Sequence, residues 1–254
     1  MIRRRLIGLA VLGLALVAWE VWARHQDSFL LPPATTILER AWEIWPSRAF
    51  LSDVGASLER LAAGYAIGAA VGIALGVLLG ASRRTGRALE PLTELLRATP
   101  PIVVVPLAVV VLGLGDSMRI SVIAFGLCFP VLVNAADGVR AISPEARDTA
   151  AMLHLGRFRR LYRLYLPAAL PSIVAGLRVA LSIGLVLLVI SEFVGAQDGL
   201  GRYILFEQSQ FAVPEVYAGI LFLGLLGYVL NQLFLVAERY TLAWHYGAVG
   251  ELGH

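Results

Sequence analysis

The 254-residue chain contains no lysine: all 21 of its basic residues are arginine. A P-loop needs a lysine to reach the terminal phosphates of a nucleotide, and no Gly-x-x-x-x-Gly-Lys run occurs, so a nucleotide site of that kind is excluded. The single cysteine, Cys128, lies inside an apolar run; it excludes an intrachain disulfide framework and reads as a small packing residue. The four histidines, His25, His154, His245 and His254, are scattered, so no Cys/His cluster has metal-ligand spacing, and neither metal nor cofactor is expected. Charge is scarce too. Only 15% of residues are charged and 58% are hydrophobic, where a soluble domain carries about 25% charged residues. The deficit is concentrated in long runs: residues 61–81 and 216–237 hold no charge at all. The hydrocarbon core of a bilayer needs about 20 apolar residues in a helix, and several such runs in one chain exclude an ordinary soluble core. The basic balance, with a pI near 9.3, does not point to nucleic acid, because no basic face is interleaved with exposed aromatics. The arginines flank the apolar runs, where orientation in a bilayer accounts for them. No catalytic triad or carboxylate pair supports an enzyme.

Six spans are expected. The first is residues 6–18 behind Arg3, Arg4 and Arg5, within a first helix over 1–24. It opens like a signal peptide, but no Ala-x-Ala site follows and Trp19 and Trp22 suit the far interface, so it is expected to be retained. The others are centred on 61–81, 98–115, 120–136, 168–191 and 216–237. Pro100, Pro101 and Pro106 interrupt the third and Pro130 the fourth; the carbonyls they free call for packing in protein rather than lipid. With the N-terminus inside, the cytoplasmic segments collect 14 arginines (3, 4, 5, 83, 84, 87, 97, 140, 147, 157, 159, 160, 163 and 239) and the outer segments 6 (24, 40, 48, 60, 119 and 202). The positive-inside rule then places both termini in the cytoplasm. The outer segment 25–52 can form a short amphipathic helix over 36–45 after Pro32-Pro33, with Ile37, Trp42 and Ile44 lying on the membrane. Gly64, Gly68, Gly72, Gly76 and Gly80 recur every four residues and form one ridge. Such a ridge lets helices approach closely in lipid, either within one subunit or between subunits.

The most informative segment is the charged loop 140–166. Ser143 can N-cap, Pro144 suits the first helical position, and Glu145 and Asp148 favour the positive end of the dipole. A first helix is expected over 144–155, a turn at Gly156, and then a basic helix carrying Arg157, Arg159, Arg160 and Arg163 until Leu166-Pro167. A helix–turn–helix between two spans is either a docking element for a cytoplasmic partner or a basic loop that fixes topology.

This loop resembles the cytoplasmic signature of binding-protein-dependent ABC permeases: approximately Glu-Ala-Ala, three residues, Gly, and Leu-Pro thirteen residues after the glycine. Asp148, Ala150, Leu166 and Pro167 match. The glycine position falls on His154, and Gly156 lies two residues late, so either the turn has shifted or His154 takes a helical conformation. Pro167-Ala-Ala-Leu-Pro171-Ser-Ile-Val-Ala-Gly-Leu-Arg178 resembles the family's entry into the fifth span. Ser191-Glu192-Phe-Val-Gly-Ala-Gln-Asp-Gly199-Leu-Gly201 resembles the stretch after it, and Leu31-Pro32-Pro33 also fits. Together they are similar to the nitrate/sulfonate/taurine branch of importers over nearly the whole chain. The resemblance implies an all-α membrane protein of the type I ABC importer permease class, in which 53–254 form the five-helix permease core. It implies a second permease copy, as a homodimer, two cytoplasmic ATP-binding subunits, an extracytoplasmic solute-binding protein, and a site in the cell inner membrane. It further implies that the short loop helix couples to the ATPase, through Glu145, Asp148, Ala150, His154, Leu155, Gly156 and Arg157. The solute would be small and anionic: sulfonate, taurine, nitrate or similar.

Candidates for the translocation pathway are Glu192, Arg178, Ser182 and Asn134. An intramembrane carboxylate is expensive and usually faces the bundle interior, but Glu192 can instead be a solvated helix end. Arg178 is suited to an anionic solute; Asn134 and Ser182 can line a pore or simply pack. Gly199 and Gly201 suggest a tight outer turn that either contacts the binding protein or only closes a loop. The rival class is a self-sufficient secondary transporter or channel, which needs relay carboxylates within the spans and usually an internal repeat. Only Glu192 qualifies, and no repeat is found.

Overall fold

The computed structural model describes residues 2–26 and 29–244; the side chains of residues 2–10, 12, 83 and 90 are outside that description. Arg3, Arg4, Arg5, Arg83, His245 and His254 therefore lie outside what can be placed. The described chain is helical: α1 (Ile2–Gln26), α2 (Ala34–Ile44), α3 (Arg48–Ala81), α4 (Arg83–Ala98), α5 (Val104–Leu112), α6 (Asp116–Arg140), α7 (Pro144–Met152), α8 (Arg157–Arg160), α9 (Leu166–Glu192), α10 (Leu200–Ser209) and α11 (Val213–Thr241). A wider turn over Leu161–Tyr165 joins α8 to α9, so that Arg157–Glu192 is one helical stretch of 36 residues. Among the described residues four helices are long and apolar enough to cross a membrane: α3, α6, the Arg157–Glu192 stretch and α11. A fifth crossing exists if Pro91–Ala98 and Pro101–Leu112, bent by 80° at their junction, count as one broken span. Pro100 and Pro101 explain the bend: neither can donate a backbone hydrogen bond, and a residue before proline is pushed out of the α region. Where the third span was expected the chain is bent rather than one continuous helix, and α4 occupies what the sequence offered only as a charged cytoplasmic segment.

The chain divides into two compact units, Met1–Ser57 with Gly195–Leu226, and Leu58–Val194 with Gly227–His254. In the first, two helices begin without a side-chain cap of their own and receive one from elsewhere. α2 starts after Pro33. Glu20 of α1 supplies the missing acceptor, taking the Thr35 amide at 3.1 Å and the Thr35 hydroxyl at 2.8 Å. α10 starts after Gly199, whose φ of +112° only glycine adopts without strain. Asp53 accepts the Gly199 amide at 2.7 Å and Ser57 accepts the Leu200 amide at 2.8 Å. Leu200 is fully buried, so this turn is an internal joint. The core of the unit is aromatic: Phe50 stands edge-on to Tyr203 and Phe222 with ring centroids 5.0 and 4.9 Å away. A helix forms as α2 where a short amphipathic one was expected, with Ile37 buried and Trp42 85% exposed.

The second unit is organised around α6. Residues Met118, Val122, Ile123, Leu127, Val131, Ala135 and Val139 are buried. Leu61 and Val77 of α3, Val105 and Ala108 of α5, and Ala169, Ile173, Ala180, Leu187 and Leu188 of α9 join it in two large apolar clusters, and Leu79 of α3 meets Leu132 and Ala136 in a smaller one. The glycine ridge of α3 lies against α6 along its whole length. A Cβ on Gly64 would fall 2.6 Å from Ile123 Cγ2, one on Gly72 2.6 Å from the Cys128 carbonyl oxygen, and one on Gly80 2.7 Å from that of Ala136. Gly68 and Gly76 meet Leu127 with Ala124, and Leu132 with Ala135, at similarly close range. The ridge is therefore a packing face within the chain. Pro130 sits inside α6, and the Asn134 amide donates back to the Pro130 carbonyl at 2.8 Å. The expectation that the proline-bearing spans are packed in protein is met by α6. In α5 one face packs in protein, with Val105 and Ala108 buried in the same cluster, while the opposite face is open, Val110 being 83% exposed.

Gly72→Leu should destabilise the protein by about 1–3 kcal/mol or more, because the added carbons meet α6 backbone rather than a movable side chain. Gly224→Ala, where a new Cβ meets nothing within 4 Å, should be neutral or stabilising. Thermal unfolding midpoints in detergent distinguish the two.

Candidate functional site

The loop after α6 folds as a small helical element. The Ser143 hydroxyl accepts the Ala146 amide at 3.3 Å as N-cap, and Pro144 occupies the first turn of α7. Hydrogen bonds from its own backbone amide and from the Ser143 hydroxyl hold the Glu145 carboxyl below the usual carboxylate range. α7 ends at Met152, three residues before the expected stop. The turn is at His154, which takes a left-handed φ of +47°. The Leu155 amide donates to the Ala150 carbonyl at 3.2 Å and the His154 amide to that of Ala151 at 2.9 Å. That paired arrangement is the glycine-favouring helix terminus known as a Schellman motif. Neither anticipated alternative holds: the turn has not shifted, and His154 is not helical. Gly156, expected as the turn, has φ −61° and serves as N-cap of α8.

Of the expected coupling residues, Glu145, Asp148, His154, Gly156 and Arg157 are exposed, Leu155 is half-buried and Ala150 is buried. The most exposed apolar side chains of the element are Met152 (77%), Leu153 (66%) and Phe158 (80%). Sequence reasoning passed over them because a lone loop hydrophobe has no periodic signature. A second residue it missed is Arg147. Its guanidinium donates to the carbonyls of Val139, in the last turn of α6, at 2.7 Å and of Ile142, two residues past its end, at 3.3 Å. Arg147 roots α7 in the end of α6, and buried Ile142 and Ala150 pack its underside.

At the other end of α6, about 36 Å of helix away, lies a buried ionic network. Arg60 of α3 donates to Glu192 at 2.9 Å and to Asp116 at 2.7 Å. Arg119 reaches Asp116 at 3.5 Å and donates to the Val194 carbonyl at 3.2 Å. The side chains of Arg60 and Glu192 are 6% and 0% exposed, whereas that of Asp116 is 62% exposed. Glu192 is thus a buried ion-pair partner, not a solvated helix end. Arg60 and Arg119 had been counted only as outer topogenic charges, and no spacing in the sequence pairs positions 60 and 192. Arg178 and Ser182 are exposed on α9 and Asn134 is half-buried. The structure does not gather Arg178, Ser182, Asn134 and Glu192 at one point: Asn134 packs on Gly176, and Ser182 borders a shallow apolar hollow with Pro101 and Val186. Among the described residues no group of His, Cys, Asp and Glu could hold a metal ion.

Two outcomes are expected. Arg60→Met leaves Glu192 buried without that charge partner and should cost about 3–5 kcal/mol in thermal unfolding, whereas Asp116→Asn, at an exposed carboxylate, should cost under about 1 kcal/mol. His154→Gly removes the left-handed strain of a side-chain-bearing residue and should raise stability by about 1 kcal/mol; a lowered midpoint would show that the imidazole itself holds the turn.

Residues 68–241 match the family described as the inner membrane component of binding-protein-dependent transport systems. An aliphatic sulfonates transport permease protein of Bacillus subtilis, SsuC, is 30% identical over 240 residues, covering 93% of this chain and 87% of the relative. The taurine transport system permease protein TauC of Escherichia coli is 29% identical, with 96% and 91% covered. The bicarbonate transport system permease protein CmpB of Synechococcus elongatus is 29% identical, with 89% and 86% covered. Among solved structures, a chain of the inward-facing MetNI methionine ABC transporter shares the fold with a TM-score of 0.62 at 19% identity, covering 76% of this chain and 95% of that one. The rooted loop element between two spans, the α3–α6–α9 bundle and these likenesses converge: the chain belongs to the family of inner-membrane permease components of binding-protein-dependent ABC importers.

Proposed function

We propose that this chain is the translocating subunit of an ATP-driven importer for a small anionic solute such as a sulfonate, taurine or nitrate. Two copies would assemble with two cytoplasmic ATP-binding subunits and receive solute from an extracytoplasmic binding protein. In this reading α1 is the first of six spans, the broken α4–α5 pair is the third, and both termini face the cytoplasm, as the arginine distribution favours. The observation that carries the proposal is the α7–α8 element. Its outward side offers Met152, Leu153 and Phe158 to a partner, while Arg147 ties its inward side to the α6 carbonyls.

Mechanically, ATP would close the ATPase dimer and displace α7. Because α7 is rooted in α6, and α6 is wedged between the α3 glycines and α9, the displacement would move these helices as a body and switch the access side. Glu145, Asp148, His154, Gly156 and Arg157 would surround the apolar contact with polar partners, as a rim surrounds an interface core. Arg178 and Ser182 on α9, with Asn134 on α6, are the groups proposed to meet the solute; an arginine suits a sulfonate or nitrate oxygen. The pairing of Glu192 with Arg60 favours this reading over a secondary transporter, because a proton-relay carboxylate should not be neutralised by a buried guanidinium. That the relatives are described as sulfonate, taurine and bicarbonate permeases supports the anionic solute class.

Co-purification with candidate ATP-binding subunits tests the assembly. Phe158→Ala should weaken that association about thirtyfold, the loss of one interface hot spot, and Leu153→Arg should abolish solute-stimulated ATP hydrolysis. Both side chains are exposed, so membrane insertion and unfolding temperature should not change; unaltered coupling in both variants would overturn the docking assignment.

A further inference from the structure

Three hollows in the second unit share walls. A cavity of about 630 Å³ is lined by Arg87, Arg140, Arg147 and Asp148, with Gly80 and Gly86 at its back. A smaller one of about 210 Å³ shares Leu79, Gly86 and Arg140 with it and adds Arg97, Glu94 and Asp137. The third, a groove of about 410 Å³, shares Leu79, Thr93, Phe129 and Leu132 with the second and is almost wholly apolar, with Leu75, Leu92 and Phe125 among its walls. The result is one notch between α3, α4 and α6, basic at the end near α7 and apolar along the bundle.

Among the described residues the charges at the head are not fully matched. In the 630 Å³ cavity three arginines face one carboxylate, Asp148. Arg147 is engaged by backbone carbonyls, and Arg140 makes only a half-exposed contact with Asp137 at 3.3 Å. Arg87 is exposed and has no acceptor among the described residues. Glu94 is engaged by Arg97 at 3.2 Å. Gly86 brings the α4 backbone close: a Cβ there would come within 2.9 Å of the Leu79 carbonyl oxygen and 3.4 Å of Arg140 Nη2. An occupant must therefore carry a compact negative group at one end and a long apolar part at the other. In a bilayer, apolar side chains such as Leu75, Leu78 and Leu92 attract no ligand by themselves, since lipid tails are equally apolar. Selection has to come from the charged head, where guanidinium groups bind phosphate through paired, charge-assisted hydrogen bonds.

We propose that this notch is a binding site for an anionic glycerophospholipid, with its phosphate held by Arg87 and Arg140 and one acyl chain lying in the groove along Leu75, Leu92 and Phe129. The headgroup would then sit against Pro144 and Asp148 at the start of α7, so lipid occupancy would stiffen the junction of α6 with the docking element. The inference needs a chain embedded in a bilayer; it does not need α7 to meet an ATPase.

The test is native mass spectrometry of the full chain released from nanodiscs of phosphatidylglycerol in phosphatidylcholine. Wild type should retain phosphatidylglycerol preferentially. Arg87→Gln and Arg140→Gln should each lower its apparent affinity about fivefold, while Arg163→Gln, an exposed arginine lining none of the three hollows, should not. Leu75→Trp, which fills the groove, should lower retention with the arginines intact. Arg87 is exposed, so its variant keeps the test decisive if Arg140→Gln fails to fold. Equal loss in Arg163→Gln, or unchanged retention in Arg87→Gln, would overturn the site. Displacement of the lipid by soluble glycerol 3-phosphate would equally overturn it, revealing a free-anion pocket.

Discussion

The close approach of α3 to α6 is the contact on which the rest of the second unit depends. In a bilayer no hydrophobic force draws one apolar helix to another; association comes from dispersion contacts and from polar groups that find partners. Five glycines on one face of α3 let its backbone reach the carbonyls and small side chains of α6 from Ile123 to Val139. With that seam closed, α6 is buried on most sides, Pro130 is accommodated, and the two ends of α6 become fixed points for two different polar devices.

Those devices follow from one requirement, that polar groups removed from water be satisfied internally. At one end Arg60 joins Asp116 and Glu192, tying α3, α6 and α9 where their apolar contacts run out. At the other, Arg147 takes the carbonyls of Val139, in the last turn of α6, and of Ile142 just beyond it, and so ties α7 to the end of that helix. The first unit meets the same requirement with borrowed caps: Glu20 for α2, and Asp53 with Ser57 for α10.

The turn at His154 shows how far a motif can be read. Spacing from Leu166-Pro167 located the position where the family carries glycine, and the left-handed φ found there explains why glycine suits it. The spacing could not say whether a histidine would bend the chain at the same place or move the bend to Gly156. Two backbone hydrogen bonds from Leu155 and His154 to Ala150 and Ala151 settle it, since they outweigh the strain of one side chain. The exposed trio Met152, Leu153 and Phe158 was invisible for a different reason: exposure of an isolated hydrophobe depends on what the fold places beside it.

The sequence by itself determined the membrane class, the apolar runs, the glycine ridge, the helical loop with its Ser143 cap, and that no P-loop lysine is available. Each of these is local, set by composition or by residues within a few helical turns. Only the tertiary structure decided that the ridge packs on α6, that the chain bends by 80° at Pro100 and Pro101, that Glu192 belongs to Arg60, and that Arg87 and Arg140 frame a notch continuous with an apolar groove. These depend on side chains separated by tens of residues, and in a helix every residue type tolerates many neighbours. Burial and partner distance, not sequence spacing, fix which charge is neutralised and which is left to bind.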